Sequence, residues 1–277
     1  MCYQTTVAQM VLCKGIGLHS GKPAEIRLLP APEDTGIVFI RTDLSGTPQI
    51  KAVAENVTTT LRATTIGDNN AQVYTIEHLM SALHICEIDN CYIEINGEEP
   101  PVEDGSAAVF FAALQKAGRK TLTKKRKEIV IDKIYRVDDG EKFVIAMPYD
   151  GFRVSFTSLN EHPLIGVQYA DFEIDEHTYE KEIASARTIA YEKEVEQLQK
   201  MGLGLGGNLE NVIVYNDKGW LNKLRYENEL VRHKILDIIG DLRLAGGVIK
   251  GHIIAVKAGH KLNTQLAIKI RQNIADI

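Results

Sequence analysis

The chain has no apolar run approaching the ~18 residues of a membrane-spanning helix, so none is expected. No secretory leader is expected, since MCYQTTVAQMVLCKG lacks both a basic start and a long apolar centre. It has only four cysteines in 277 residues, and Cys2, Cys13, Cys86 and Cys91 show no C-x-x-C spacing. That argues against a disulfide scaffold or a four-cysteine zinc site and fits the reduced thiols of a cytoplasmic protein. A basic excess is also missing: the net charge of −5 argues against a general nucleic-acid binder. No short-period repeat and no low-complexity tract stands out. The chain stops at Ile277, soon after its last helical stretch, so no fused second enzyme is expected. What is present is an ordinary globular composition, 44% hydrophobic and 25% charged, long enough for two domains or one large one.

Residues 24–29, 36–41, 51–55 and 90–96 alternate or are β-rich and predict strands. Residues 75–87 predict a helix with Ile76, Leu79, Met80 and Leu83 on one face and Thr75 as its cap. Asp104-Gly105 predicts a turn, Ser106 an N-cap, and Gly118 the end of a helix over 107–117. RKTLTKKRK, residues 119–127, holds six basic residues in nine and is the best boundary. It reads as a solvated linker, or as a weak attraction to an anionic membrane surface. Strands begin again at 128–137, 142–147 and 153–158. A helix near 184–201, a Gly-rich loop with a strand, a helix over 230–242, a strand over 251–259 and a helix after His260 follow. The pattern is α+β, with two units of similar size, although a single α/β domain stays open.

In LVRHKILDIIGDL, residues 230–242, Val231, Ile235, Ile238 and Leu242 form one apolar stripe at helical period. His233, Asp237 and Asp241, each four apart, stack on the opposite face. A water-facing surface column is the plain reading. The sharper one is a metal held by His233 and Asp237 from successive turns, which needs a third ligand elsewhere. His162 and His177 lie in polar sequence and read as solvated, while His84 and His252 lie in apolar segments and read as core. His78, His19 and His260 remain. Glu77-His78 would put a carboxylate next to a ligand, as a metal hydrolase needs, but the spacing alone is a weak signal. GLGLGG at 202–207 lacks the Lys-Ser/Thr of a P-loop; with Leu203, Leu205, Val212 and Ile213 it could line an apolar slot.

Seven segments taken together are more specific: GIGLHSGK (15–22), TIEHLMSAL (75–83), EEPPVEDGSA (98–107), SARTIAY (185–191), GLGLGGNLENVIV (202–214), LRYENELVRHKILDIIGDL (224–242) and AGHKLN (258–263). In this order they resemble the UDP-3-O-acyl-N-acetylglucosamine deacetylase family of bacterial lipid A biosynthesis. The resemblance implies Zn2+ held by His78, His233 and Asp237, with Glu77 as general base. It implies a protonated His260 across the site, Asp241 paired with it, Thr188 offering a hydroxyl to the oxyanion, and Lys234 binding the substrate diphosphate. Whether Glu77 alone or Glu77 with His260 handles the protons stays open.

The implied fold is two similar two-layer α/β sandwich domains, 1–122 and 128–277, each with an insert and with the active site in the cleft between them. The second insert, near 186–215, would form an apolar passage for the acyl chain with Ile189, Leu203, Leu205 and Val212. Ile189, Ala190 and Tyr191 stand where the family often has aromatic residues, and Glu194 where an aspartate is common. These departures bear on acyl-chain length. His19 and Asp104 read equally well as turn residues or as site residues. The implied protein is a cytoplasmic monomer, at most peripheral to a membrane, acting on a UDP-linked acylated amino sugar. Another acylated amino sugar as substrate is an alternative. A silent metal or nucleotide-sugar binding protein is another, and the presence of Glu77, His260 and all three ligands argues against it.

Overall fold

The computed structural model describes residues 2–126, 128–163 and 165–275; Lys127 of the basic run and residues 1, 164, 276 and 277 lie outside them. The helices are α1 (Glu77–Ile85), α2 (Ala108–Ala117), α3 (Glu176–Glu182), α4 (Glu192–Lys200), α5 (Glu229–Arg243) and α6 (His260–Ala275).

The chain runs through one α+β motif twice. In the first half the sheet order is Val11–Ile16, Pro23–Pro30, Cys91–Ile95, Ile37–Arg41, Gln49–Lys51. All its pairs are antiparallel except Cys91–Ile95 with Ile37–Arg41. In the second half Tyr135–Asp139, Lys142–Met147, Ile249–Val256, Phe152–Leu159 and Val167–Glu173 repeat that order and those directions, with Ile129–Val130 added beside Ile249–Val256. A parallel pair requires a crossover, usually a helix. Here the crossovers contain α1 and α5, and α2 and α6 follow the central strands. Strands such as Ile249–Val256 bury alternate residues, so each sheet turns one face to helices. One continuous apolar core runs through both halves. Each half carries an insert: a three-stranded sheet of Val57–Thr59, Thr65–Gly67 and Gln72–Val73, and a second of Ile189–Tyr191, Ile213–Asn216 and Gly219–Trp220 flanked by α4. Among the described residues no helix is long and apolar enough to cross a membrane, and the four cysteines are free.

Several expectations are corrected. The basic run is no linker: Arg119–Lys125 is a strand paired antiparallel with Tyr3–Val7. Its side chains stay mostly exposed, so the charges are solvated while the backbone is paired; Arg126 is buried against Asp89 and Glu87. The helix near 184–201 is only Glu192–Lys200, because Ile189–Tyr191 pairs with Ile213–Asn216 and Ile189, β-branched, suits a strand. The strand at 51–55 is Gln49–Lys51 followed by a 3-10 turn, Ala54–Asn56, whose Ala54 N–H is drawn to Leu244 O. Thr75 does not cap α1; its backbone has φ 53° and its hydroxyl donates to Glu99 instead (2.8 Å). α2 is capped at Ala107, with Ser106 Oγ accepting from Ala108 N. His162 is not solvated but packs on Tyr191 and Tyr215. His84 is core, yet neither ring nitrogen has a partner; His252 is half-buried against Ser155.

α1 and α5 cross closely. A Cβ on Gly240 would lie 2.0 Å from the Glu77 carbonyl oxygen. Gly240→Ala should therefore force the helices apart and cost about 1–3 kcal/mol. At roughly 2–4 °C per kcal/mol for a chain of this size, thermal unfolding should register the loss. An unchanged Tm would mean the crossing is looser than described.

Candidate active site

The crossing brings Glu77 and His78, at the start of α1, against His233, Asp237 and Asp241 on α5, and all five are buried. The ligand atoms of His78, His233 and Asp237 lie within 4.8 Å of one another. His233 Nε2 is 3.3 Å, and His78 Nε2 3.8 Å, from Asp237 Oδ1. His233 Nδ1 donates to Ala186 O (3.0 Å), which leaves Nε2 unprotonated and free to ligate. Burial pushes His78 down to about 3, aided by His233, and burial also lowers His233, so both rings are neutral. Burial alone would raise Asp237, but His233, Lys234 and His260 outweigh it and hold the carboxylate below the ordinary range. Asp237 Oδ2 accepts from Lys234 Nζ (2.8 Å), while Oδ1 is buried with no hydrogen-bond partner. An orphaned buried carboxylate oxygen beside two neutral imidazoles is costly unless a cation completes it. The donor set fits a divalent cation.

Two further groups face this trio. Glu77 is raised to about 7, chiefly by burial, with His260 opposing and Asp237 and Asp241 adding. Its Oε2 accepts from Thr64 N (3.0 Å). His260 opens α6, where both burial and the helix dipole disfavour a cation. Asp241 reverses this: its Oδ2 accepts from His260 Nδ1 (2.9 Å), and the pair carries His260 to about 9 against burial. Asp241 is itself fully tied, to Thr64 Oγ1 (2.5 Å) and Asn263 Nδ2 (2.8 Å).

With this geometry described, comparison with known proteins is decisive. The family model LpxC, UDP-3-O-acyl N-acetylglycosamine deacetylase, matches residues 4–272. Proteins named UDP-3-O-acyl-N-acetylglucosamine deacetylase are similar over almost their whole length. One from Anaeromyxobacter dehalogenans is 45% identical over 96% of this chain and 87% of its own. Others are 46% identical: one from Syntrophotalea carbinolica over 99% and 89%, and one from Acidithiobacillus ferrooxidans over 99% and 92%. The chain belongs to this deacetylase family.

Several of the remaining family-motif residues fall around the same cavity. Thr188 lines it, as do Ile189, Leu203, Val212, Lys234 and His19. Leu203 and Val212 also line an apolar slot of ≈ 440 Å³ between α4 and the Ile213–Asn216 strand, so slot and cavity share a wall. Leu205 does not line either one. It is 50% exposed, because the backbone N–H groups of Leu205 and Gly206 bond His19 O and Leu18 O and turn its side chain over Gly21. Lys234 is tied to Asp237 rather than standing free for an anion. His19 Nδ1 accepts from Gly204 N (3.2 Å), joining the halves. Asp104 Oδ1 accepts from Ser106, and Oδ2 from Arg225 (2.7 Å), a structural bridge away from the cavity. Tyr191 stacks on Tyr215, outside the slot, and Glu194 pairs with Arg62 (3.1 Å), itself a cavity residue.

Spacing gave no sign of the supports. Buried Glu99 accepts from His19 N, Ser20 N and Thr75 Oγ1, pinning the GIGLHSGK loop. Arg187 and Glu229 form a buried pair (2.9 Å) that fixes the SART segment, and with it Thr188, on the first turn of α5. Thr64 holds Glu77 and, with Asn263, Asp241. Only their presence inside family motifs marks Glu99, Arg187, Glu229 and Asn263; Thr64 carries no such mark.

His233→Ala should weaken the affinity for a divalent cation by more than the roughly 10–100-fold seen when only an outer partner is lost. Metal analysis of the dialysed proteins would read this, and full occupancy in the variant would remove His233 from the ligand set.

Proposed function

We propose that this enzyme hydrolyses the N-acetyl group of UDP-3-O-(3-hydroxyacyl)-N-acetylglucosamine, giving acetate and the free amine in lipid A biosynthesis. The observation that carries the reading is the placement of Glu77, raised to about 7, and His260, raised to about 9, beside a buried donor set fit for a cation. A base and an acid with their pKa values driven apart around a carbonyl site are what amide hydrolysis at neutral pH requires.

In this reading His78, His233 and Asp237 hold Zn2+. That ion supplies Lewis-acid polarisation of the acetyl carbonyl and a more acidic water. Glu77, buried and oriented by Thr64 N, takes the water proton as its oxygen attacks the carbonyl carbon. The cation of His260, kept by Asp241, stabilises the developing oxyanion together with the Thr188 hydroxyl. His260 then protonates the leaving nitrogen as the C–N bond breaks, and acetate leaves. The slot beyond Leu203 and Val212 takes the acyl chain, and Lys234 exchanges Asp237 for a substrate phosphate. The proposal includes a cytoplasmic monomer and a division into residues 1–122 and 128–277. A five-stranded sheet in the first stretch and a six-stranded one in the second support that division, although residue 122 falls inside the strand Arg119–Lys125.

Acetate release from the UDP-linked substrate, with and without chelator, tests the proposal. Chelator-insensitive turnover, or none from metal-loaded protein, would sink it. Glu77→Gln should keep its metal yet lose about 10²–10⁴-fold in kcat; near-normal turnover would exclude Glu77 as base. His260 is needed protonated, so kcat/KM should fall as pH rises through about 9. Asp241→Asn removes the partner that raises His260, so that fall should move towards the ordinary ~6.5. A pH profile with an unmoved alkaline limb would show that His260 is not the group responsible.

A further inference from the structure

The last turn of α5 ends in a buried arginine with no anion. Arg243 is only 2% exposed. Its Nη2 donates to Ile88 O (2.7 Å), but its Nε is buried without an acceptor, and it forms no ion pair among the described residues. Asp89, the nearest acidic influence on it, is engaged by Arg126. Burial pushes the guanidinium down to about 10 despite Asp89, with Arg126 adding to the fall. A buried charge normally has a partner. Here no anionic partner is present among the described residues.

Arg243 borders a cleft of ≈ 200 Å³ that shares no lining residue with the catalytic cavity. Two more cations border it: Arg271 from α6 and Lys51 at the end of the Gln49–Lys51 strand. Arg271 lies flat on the backbone, donating to Ala245 O (3.3 Å), with its Nη1 2.5 Å from where a Cβ on Gly246 would stand. Gly246, at φ 99°, is what permits this. The carboxylates nearby are engaged: Glu55 by Arg271 (2.8 Å), and Asp34 by Lys124 and Gln4. The cleft is smaller than the ~300–1,000 Å³ of sites enclosing drug-sized ligands, and planar guanidinium forks suit tetrahedral oxyanions.

We propose that this cleft is a second binding site, for a phosphate group: inorganic phosphate or a small phosphomonoester, held by Arg243 with Arg271 and Lys51. Its occupant would sit at the end of the same helix that carries His233, Asp237 and Asp241.

The test uses the full metal-loaded chain at constant ionic strength, titrated with inorganic phosphate and, separately, glycerol 3-phosphate. Binding is read by calorimetry and by the ligand-dependent rise in Tm. The wild type should saturate. Arg243→Met should bind at least tenfold more weakly, and should unfold at a higher temperature than the wild type in phosphate-free buffer, because it removes an unpaired buried charge. Lys51→Glu changes an exposed side chain, leaves the core alone and should weaken binding several-fold, so it decides the matter if the Arg243 variant folds poorly. Saturation by inorganic phosphate alone identifies the free ion as ligand; equal or tighter binding of glycerol 3-phosphate identifies a phosphomonoester or lipid headgroup. No saturable binding, or equal binding by wild type and Lys51→Glu, overturns the proposal.

Discussion

The site depends on how closely two helices can approach. α1 and α5 occupy the same place in the two copies of one motif, each inside the crossover of its sheet's only parallel pair of long strands. Each contributes what the other lacks: α1 the Glu77-His78 dipeptide, α5 the His233/Asp237/Asp241 column. The two sets meet only because Gly240 leaves room for the Glu77 carbonyl. A side chain there would separate Glu77 from His260 and His78 from His233 and Asp237. The geometry of the chemistry is thus set by a residue that has no part in it, in a core too densely packed to absorb the shift.

Once the helices meet, burial does opposite things to neighbouring groups, and local partners decide the outcome. Glu77 has one backbone donor and cations at a distance, so burial prevails and its affinity for protons rises. Asp237 has two imidazoles and Lys234 around it, so burial loses and it stays ionised. His260 would be neutral by burial alone, and Asp241 keeps it charged. Asp241 can do this because Thr64 and Asn263 satisfy its remaining lone pairs; a half-satisfied buried carboxylate would be a poor anchor.

The column on α5 was readable because helical periodicity alone stacks residues four apart. Its partner on α1 was not, since two helices far apart in sequence leave no spacing between them to read. There the family motifs supplied what period could not. They were also the source of two residues expected in the slot but found outside it: Ile189, which lines the cavity, and Leu205, which lines neither. The Gly-rich turn that carries Leu205 follows backbone bonds to His19 and Leu18, and no pattern in GLGLGG records which leucine faces inward. The helix expected at 184–201 failed for a similar reason: good helix-forming residues after Tyr191 mask a strand held by Ile213–Asn216 and the Arg187–Glu229 pair. Two α+β units of similar size were legible, but their matching strand order was not, because it repeats topology and not sequence.

The pairing of Tyr3–Val7 with Arg119–Lys125 also has a meaning for synthesis. A strand made first must wait for one made much later. At about 5–20 residues per second, the wait is on the order of ten seconds. During it, the strand can bridge to Asp89 and Asn90, but the edge that Arg119–Lys125 later takes stays open. The lysine-rich strand is the last part of the first half's fold to leave the ribosome, so this pairing can only complete late. The late strand's exposed positive charges disfavour pairing with a second copy of itself.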